Sequence, residues 1–420
     1  MDRGCNLAGV IACKAKGIGA AMVAIAALLT PFPAFSACNT PNNVALKVHF
    51  PDYPMWRAVA GQMQQCGNVD VEFGFDAASV EAESSGVKEE LGSLVGISNA
   101  SLYRLTARQR LRPLDDLVER YRVLLNPRQL IRVDGKVMAI AVAANTKALM
   151  VHRELLTQEK IETPRTYDEL IAAAERLKGS SQLYDAPLTL AYRPGWNLTQ
   201  EFIDLFIARG GELFSAEKQP SLSGEAGVAT LELMKRLSAY LPEGYEERDS
   251  ARVLNDLMRF AAPMAVTWVT HAGPLDNPAV SRVSGKMRIL PAPAVLAGGK
   301  PAATLWWEGF AVPAGISEEE AEAAFLTALE GLDTDMLAEH RSQALWLIED
   351  YKPGRLTREV LAAIDAGLPL YPDSPQLSLL RRAMNDHIEA FLSGEEDAAT
   401  ALEGAEADYL KAARELGMAG

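Results

Sequence analysis

Cysteine is scarce in this chain: Cys5, Cys13, Cys38 and Cys66 are all it has in 420 residues. That excludes a disulfide-dense scaffold, and no CxxC spacing offers a thiolate metal centre. Histidine is nearly as rare, with five scattered residues and no His-Glu-x-x-His. Gly-x-Ser-x-Gly, a P-loop and a dinucleotide fingerprint are missing too. Carboxylates such as Asp115, Asp116 and Glu308 abound, but nothing in the sequence pairs two of them across a scissile bond. The sequence therefore gives no support to an enzyme, and no cofactor or metal is expected. Positive charge is also in deficit: 41 basic against 55 acidic residues leave a net charge of -14. This argues against nucleic acid or an anionic membrane surface as a partner.

A long apolar run occurs only near the amino terminus. Arg3, Lys14 and Lys16 precede the uncharged stretch Gly17 to Leu29, which ends in Thr30-Pro31-Phe32-Pro33. Charged, apolar and small-residue regions in that order read as a secretory signal peptide over residues 1–36. A membrane span needs about 20 apolar residues, more than this run supplies. Small residues at Ala34 and Ser36 suit ordinary cleavage into the periplasm, while Phe35-Ser36-Ala37-Cys38 is an imperfect lipoprotein box that would instead anchor the chain through Cys38. Cleavage after Ser36 leaves a net charge of -16 and only Cys38 and Cys66. A strand from Val44 to Phe50 and a returning helix from Pro54 to Gln65 have similar lengths, about 18 Å for the helix. The two cysteines can thus meet at one end of a sheet as a disulfide; separate thiols, or a lipidated Cys38 with Cys66 free, are the alternatives.

About 380 mature residues exceed one ordinary core and imply two domains or a bilobed body. Short β-branched runs alternate with amphipathic helical stretches, so the fold class is α/β. Leu94–Ile97 is an apolar strand ending in Ser98 and Asn99, and Val137–Ala144 ends in Asn145-Thr146. Open α/β sheets bind ligands beyond such carboxyl ends. Asp134-Gly135 is a tight turn, and Thr166 with Glu169 three residues on is a capping box.

The order of these signals resembles the extracellular solute-binding proteins of family 1, the group of maltose-, glycerol-phosphate- and multiple-sugar-binding proteins. The segments that carry the resemblance are Arg112–Val118, Asp134-Gly135-Lys136 with its strand into Asn145-Thr146, Pro164 to Leu170, Gly210-Gly211-Glu212-Leu213-Phe214, Met264 to Trp268, and Gly285-Lys286 leading to Pro291-Ala292-Pro293. The resemblance implies a periplasmic-binding-protein-like fold, two α/β lobes hinged over a ligand cleft. It places about 37–143 plus 264–312 in the first lobe and 144–263 plus 313–420 in the second. It also implies that the chain, as a monomer, is the capturing component of an inner-membrane ABC permease and takes a small carbohydrate or polyol.

Sugars present apolar ring faces rimmed by hydroxyls, so their sites combine aromatic platforms with planar hydrogen-bonding groups. Only six tryptophans are available. Trp306 and Trp307 are adjacent in a strand and point to opposite faces, so one of them can line a cleft, with Glu308 as an acceptor; the alternative is that both pack in cores. Trp268 closes an apolar strand just before His271, a residue more often a satisfied loop histidine than a ligand contact. Trp196 lies with Asn197 in the loop Arg193-Pro194-Gly195, where an aromatic has little reason to be buried. Asp52 and Tyr53 follow the first strand and Asn99 the third, positions that line the cleft in the family; Asp52 also suits a helix cap. Trp56 and Trp346 read as core. A cationic solute such as a polyamine would use the same tryptophans and Glu308 as a cage, and a phosphorylated or sulfonated sugar would use Arg193.

Overall fold

In the computed structural model, residues 44–52, 54–65, 69–76, 91–178, 183–372 and 374–417 are described. The signal segment, Cys38, Cys66 and Tyr53 lie outside them. Eleven strands are present among these residues: β1 (Ala45–Pro51), β2 (Asp70–Asp76), β3 (Leu94–Ser98), β4 (Leu130–Val133), β5 (Lys136–Asn145), β6 (Lys147–His152), β7 (Leu188–Thr189), β8 (Met264–Trp268), β9 (Met287–Pro291), β10 (Trp306–Ala311) and β11 (Leu345–Trp346). They form two sheets. The first runs β11-β5-β10-β3-β1-β2 with β4 on the side of β5, and the second runs β7-β8-β6-β9.

Local chemistry explains how these elements begin and end. Asp134 and Gly135 both take positive φ, 48° and 79°, between the paired residues Val133 and Lys136. This is the backbone that a two-residue hairpin turn demands. The Thr166 hydroxyl accepts from the Glu169 backbone N–H at 3.2 Å while the Glu169 carboxylate accepts from the Thr166 N–H at 3.3 Å, the capping box expected from sequence. Val137 to Ala144 are buried on both faces of β5, because helices cover both sides of the first sheet. The helices Pro54–Met63 and Glu318–Glu330 and the core residues Trp56 and Trp346 occupy one face. Leu102 and Leu105 of the helix Asn99–Ala107 pack on the other.

Sheet membership corrects the expected division of the chain. The expected division puts β8 and β9 with the first lobe, but both pair antiparallel with β6, on either side of it, in the second sheet. Of the stretch 264–312 only β10 enters the first sheet, between β3 and β5. The carboxyl-terminal stretch is likewise shared: β11 pairs with β5 and Ala321 to Leu337 pack on the first sheet's core. The helices Pro375–Ser393 and Ala398–Glu415 instead pack with Leu149, Val266 and Trp268 of the second. A strand buried on both faces carries the same apolar run in either sheet, so the pattern alone does not say which one takes it.

One residue, Thr146, joins β5 to β6 and so passes the chain between the sheets. Its hydroxyl donates to the Thr304 carbonyl at 2.9 Å, binding this crossing to the one that returns before β10. No helix among the described residues is long and apolar enough to cross a membrane.

Candidate functional site

The carboxyl ends of β1, β3 and β5 and the start of β10 share one edge of the first sheet, because register sets Trp306 opposite Asn145 and Glu308 opposite Ser98. In the second sheet Trp268 sits opposite Lys147, the first residue after the crossing. The strand ends of both sheets therefore converge on the crossings, where α/β sheets place ligands.

Three of the tryptophans singled out from sequence meet there. Trp196 stacks on Trp268 at 5.7 Å and meets Trp306 edge-on at 5.6 Å, while Trp268 and Trp306 are 5.9 Å apart at 88°. Tyr371, which sequence reasoning missed, stacks on Trp306 at 3.9 Å. Its segment is pinned to the crossing: the Leu305 N–H donates to the Pro369 carbonyl at 2.7 Å and the Tyr371 N–H to the Leu305 carbonyl at 3.0 Å. Trp307 points to the opposite face of β10 and packs among Val95, Ile97, Leu102 and Met138. It does not join the ring cluster.

Beneath the rings lies a buried polar network. The Lys147 ammonium is 2.7 Å from Glu201 and 3.3 Å from Asp204, and all three side chains are at most 4% exposed. The other Asp204 oxygen accepts from the Thr304 N–H at 3.0 Å, the Thr304 hydroxyl at 2.8 Å and the Gln200 amide at 3.0 Å. Trp306 Nε1 donates to the Thr304 hydroxyl at 3.1 Å. The Gln200 carbonyl oxygen accepts from Arg381, whose guanidinium also donates to the Tyr371 hydroxyl at 2.8 Å, the Thr199 hydroxyl at 2.9 Å and the Trp196 carbonyl at 3.1 Å. Two cations and two carboxylates are thus linked through one glutamine. Burial raises the Glu201 pKa, and Lys147 works against that rise. The cations also occupy ring faces: Lys147 lies 5.8 Å from the Trp268 centroid, and Arg381 lies 5.2 Å from Trp196 and 5.3 Å from Tyr371.

The sequence did carry a signal for this network. Lys147 is the one charge in the run between Val137 and Val151, and Glu201 and Asp204 are the charges, with Gln200 beside them, in the largely apolar helix Trp196–Ala208. Charges at such positions must find partners or cost several kcal/mol each, on the order of the desolvation penalty per ion.

The remaining candidates sit around this centre. Asn99 is 8% exposed and braces the start of β10, donating from its amide to the Leu305 carbonyl at 3.4 Å and accepting from the Trp307 N–H at 3.5 Å. Asp52 is exposed and paired with Arg57 at 2.6 Å. Arg193 pairs with Asp249 at 3.1 Å, and Asn197 accepts from Ser250 at 3.0 Å. His271 lies within 3.2 Å of the Thr267 hydroxyl, and burial drives its pKa down to about 4. Glu308 is half-buried, and burial pushes its carboxyl up to about 8. A cavity of about 550 Å³ opens at the other ends of β1 and β3. Its polar wall is self-paired, Ser93 donating to Glu320 at 2.7 Å and accepting from the Lys47 N–H at 3.0 Å, so it is separate from the ring cluster.

The chain belongs to the bacterial extracellular solute-binding proteins, whose family model matches residues 62–333. It is 32% identical over 139 residues to a probable amino-acid ABC transporter periplasmic-binding protein of Sinorhizobium fredii; the match spans 32% of this chain and 31% of that protein's length. Among solved structures, it superposes on a solute-binding protein from Agrobacterium radiobacter K84 in complex with ribitol, with a TM-score of 0.71 and 21% identity over 88% of this chain and 99% of that one. A solute-binding protein from Agrobacterium vitis S4 with bound D-mannitol gives 0.69 and 18%, covering 89% and 99%. Maltose-bound MalE3 of T. maritima gives 0.71 and 16%, covering 88% and 100%. These likenesses establish the fold: two α/β lobes of the periplasmic-binding type.

Proposed function

We propose that this protein is the exported, monomeric capture component of an ABC importer and that it binds an uncharged polyhydroxylated solute, a sugar or polyol, at the convergence of its two sheets. One lobe is built on β1 to β5, β10 and β11, and the other on β6 to β9. The observation that carries this reading is the cluster of Trp196, Trp268, Trp306 and Tyr371, which draws rings from both sheets over a polar network whose charges balance internally. Ring faces suit the C–H faces of a sugar or polyol. Faces already attended by Lys147 and Arg381 are poor seats for a second cation, and a network of two cations and two carboxylates needs no counter-ion from the solute.

A solute touching both lobes stabilises the arrangement in which they are together, and a permease can read that arrangement as occupancy. Ribitol, D-mannitol and maltose bound to proteins of the same fold support this choice of solute. No chemical step is required of the protein, so the solute leaves as it arrived.

Thermal-shift measurement on residues 37–420 tests the proposal, since a ligand specific for the folded state raises its melting temperature. Ribitol, D-mannitol or maltose is expected to raise it, with mass spectrometry finding the same compound after release. A shift confined to amino acids, polyamines or sugar phosphates, or accumulation of a product, overturns it.

A further inference from the structure

The rings at the convergence form two stacked pairs, Trp196 on Trp268 and Tyr371 on Trp306. Three of them are carried by regular structure: Trp268 by β8, Trp306 by β10 and Trp196 by the first turn of the helix Trp196–Ala208. Tyr371 is carried differently. It lies between the helices Arg358–Asp365 and Pro375–Ser393, outside both, with exposed Leu370 and Pro372 on either side. A segment of this kind opens at lower cost than a buried strand or a packed helix.

The phenol of Tyr371 makes two contacts of different kinds. Its ring lies on Trp306, centroids 3.9 Å apart at 29°, and Trp306 is 6% exposed. Its hydroxyl accepts from Arg381 Nε at 2.8 Å. Arg381 is buried, and its other nitrogens donate to the Trp196 carbonyl, the Thr199 hydroxyl and the Gln200 carbonyl oxygen. A buried N–H that loses its acceptor is costly, so whatever replaces Tyr371 must bring an oxygen to Nε. An apolar face with an oxygen at its rim is what a sugar or polyol presents.

We propose that Tyr371 is an internal stand-in for the solute. It fills a subsite made of the Trp306 face and Arg381 Nε; the solute displaces it, laying a C–H face on the indole and giving one hydroxyl oxygen to Nε. The inference rests on the solute-capture reading above and names the subsite that does the capturing. With Tyr371 in place, the guanidinium keeps its acceptor and the indole stays out of water while no solute is present. The same contact tunes affinity, because a binding-competent state populated only to a fraction f weakens apparent binding by 1/f. It also sets selectivity, since a solute with no oxygen beside its apolar face strands the Arg381 N–H.

Calorimetry with whichever of ribitol, D-mannitol or maltose raises the melting temperature most is the test. Tyr371→Ala vacates the subsite and is expected to tighten binding about two- to tenfold, the worth of one aromatic pair. Tyr371→Phe keeps the ring and drops the hydroxyl, and is expected to tighten binding by a similar factor, the worth of one hydrogen bond. Arg381→Lys keeps the charge and loses the Nε–H. In the Tyr371→Ala background, where no effect can pass through Tyr371, it is expected to weaken binding about five- to tenfold. Weaker or unchanged binding in Tyr371→Ala makes the ring part of a permanent platform and overturns the inference. Unchanged binding on adding Arg381→Lys to that background overturns it as well. Should Tyr371→Ala fail to fold, 3-fluorotyrosine placed at position 371 decides by fluorine NMR: a resonance that moves toward its solvent-exposed position on adding the solute supports the inference, and an unmoved one overturns it. If a solute binds and Trp306→Ala abolishes that binding while these arms fail, only the displacement of Tyr371 falls. If none of the three solutes binds, the solute-capture reading falls, and the stand-in with it.

Discussion

The two walls of the site handle buried charge in opposite ways. On the second-sheet side, Lys147 answers Glu201 and Asp204, and Gln200 connects Asp204 to Arg381, so no charge there stands alone. On the first-sheet side no cation among the described residues lies beside Glu308, and burial raises the pKa of its carboxyl. The difference separates two uses of a polar group. A compensated network fixes geometry, here tying the helix Trp196–Ala208 to the crossing at Thr304 and so carrying Trp306 with it. An uncompensated carboxyl is a group whose charge a ligand can still change.

Breaking the compensated wall has the largest expected effect. Lys147→Met leaves two carboxylates facing each other without a cation, and a loss of about 3–5 kcal/mol in unfolding free energy is expected, read by urea denaturation. A loss below 1 kcal/mol means the network contributes nothing as a unit. Next is the isolated wall. Glu308 binds its proton more tightly folded than unfolded, since its pKa is raised from 4.5 to about 8. Its contribution is fully present below pH 4.5 and is lost as pH rises through 8. Wild-type stability should therefore fall across that window by up to about 1.4 kcal/mol per pH unit from this group, and Glu308→Gln should remove the slope. Equal slopes in both proteins rule out an isolated carboxyl.

His271 sharpens the comparison from the opposite sign. Burial lowers its pKa from 6.5 to about 4, so the unfolded chain takes up the proton first and stability is lost as pH falls from 6.5 toward 4. His271→Asn should make that acid limb shallower, by less than the Glu308 effect because the interval is shorter. The smallest effect belongs to the exposed pair Asp52 and Arg57. Asp52→Ala should leave the melting temperature unchanged, and a clear drop would show that Asp52 braces the start of the Trp56 helix.

Much of the fold was legible because it is written locally. The Asp134-Gly135 turn, the Thr166 capping box and the apolar run of β5 each follow from short-range chemistry. The site was legible in part. Trp196, Trp268 and Trp306 stand out by scarcity and meet; Trp268 and Trp306 lie at strand ends as expected, whereas Trp196, which reads as a loop residue, opens the helix Trp196–Ala208. Tyr371 and Arg381 were not flagged, because they come from a loop and a helix far along the chain that are recruited only by contacts at Leu305 and Gln200. Trp307 shows the same limit: alternation placed it opposite Trp306, but which face meets the second sheet is not a local property.

By itself, then, the sequence determined the class of chain, the alternation of strands and helices, and the few aromatic side chains from which a sugar platform can be built, since periodicity and scarcity are properties of neighbours in the chain. Tertiary structure alone decided that β8 and β9 flank β6 rather than joining the first sheet, and that Trp306 joins the rings while Trp307 enters a core. It alone also set Lys147 beside two carboxylates and placed no cation of the described residues beside Glu308. Those outcomes depend on pairings between residues tens to hundreds of positions apart, and the free energy of such a pairing exists only once both partners have been brought together out of water.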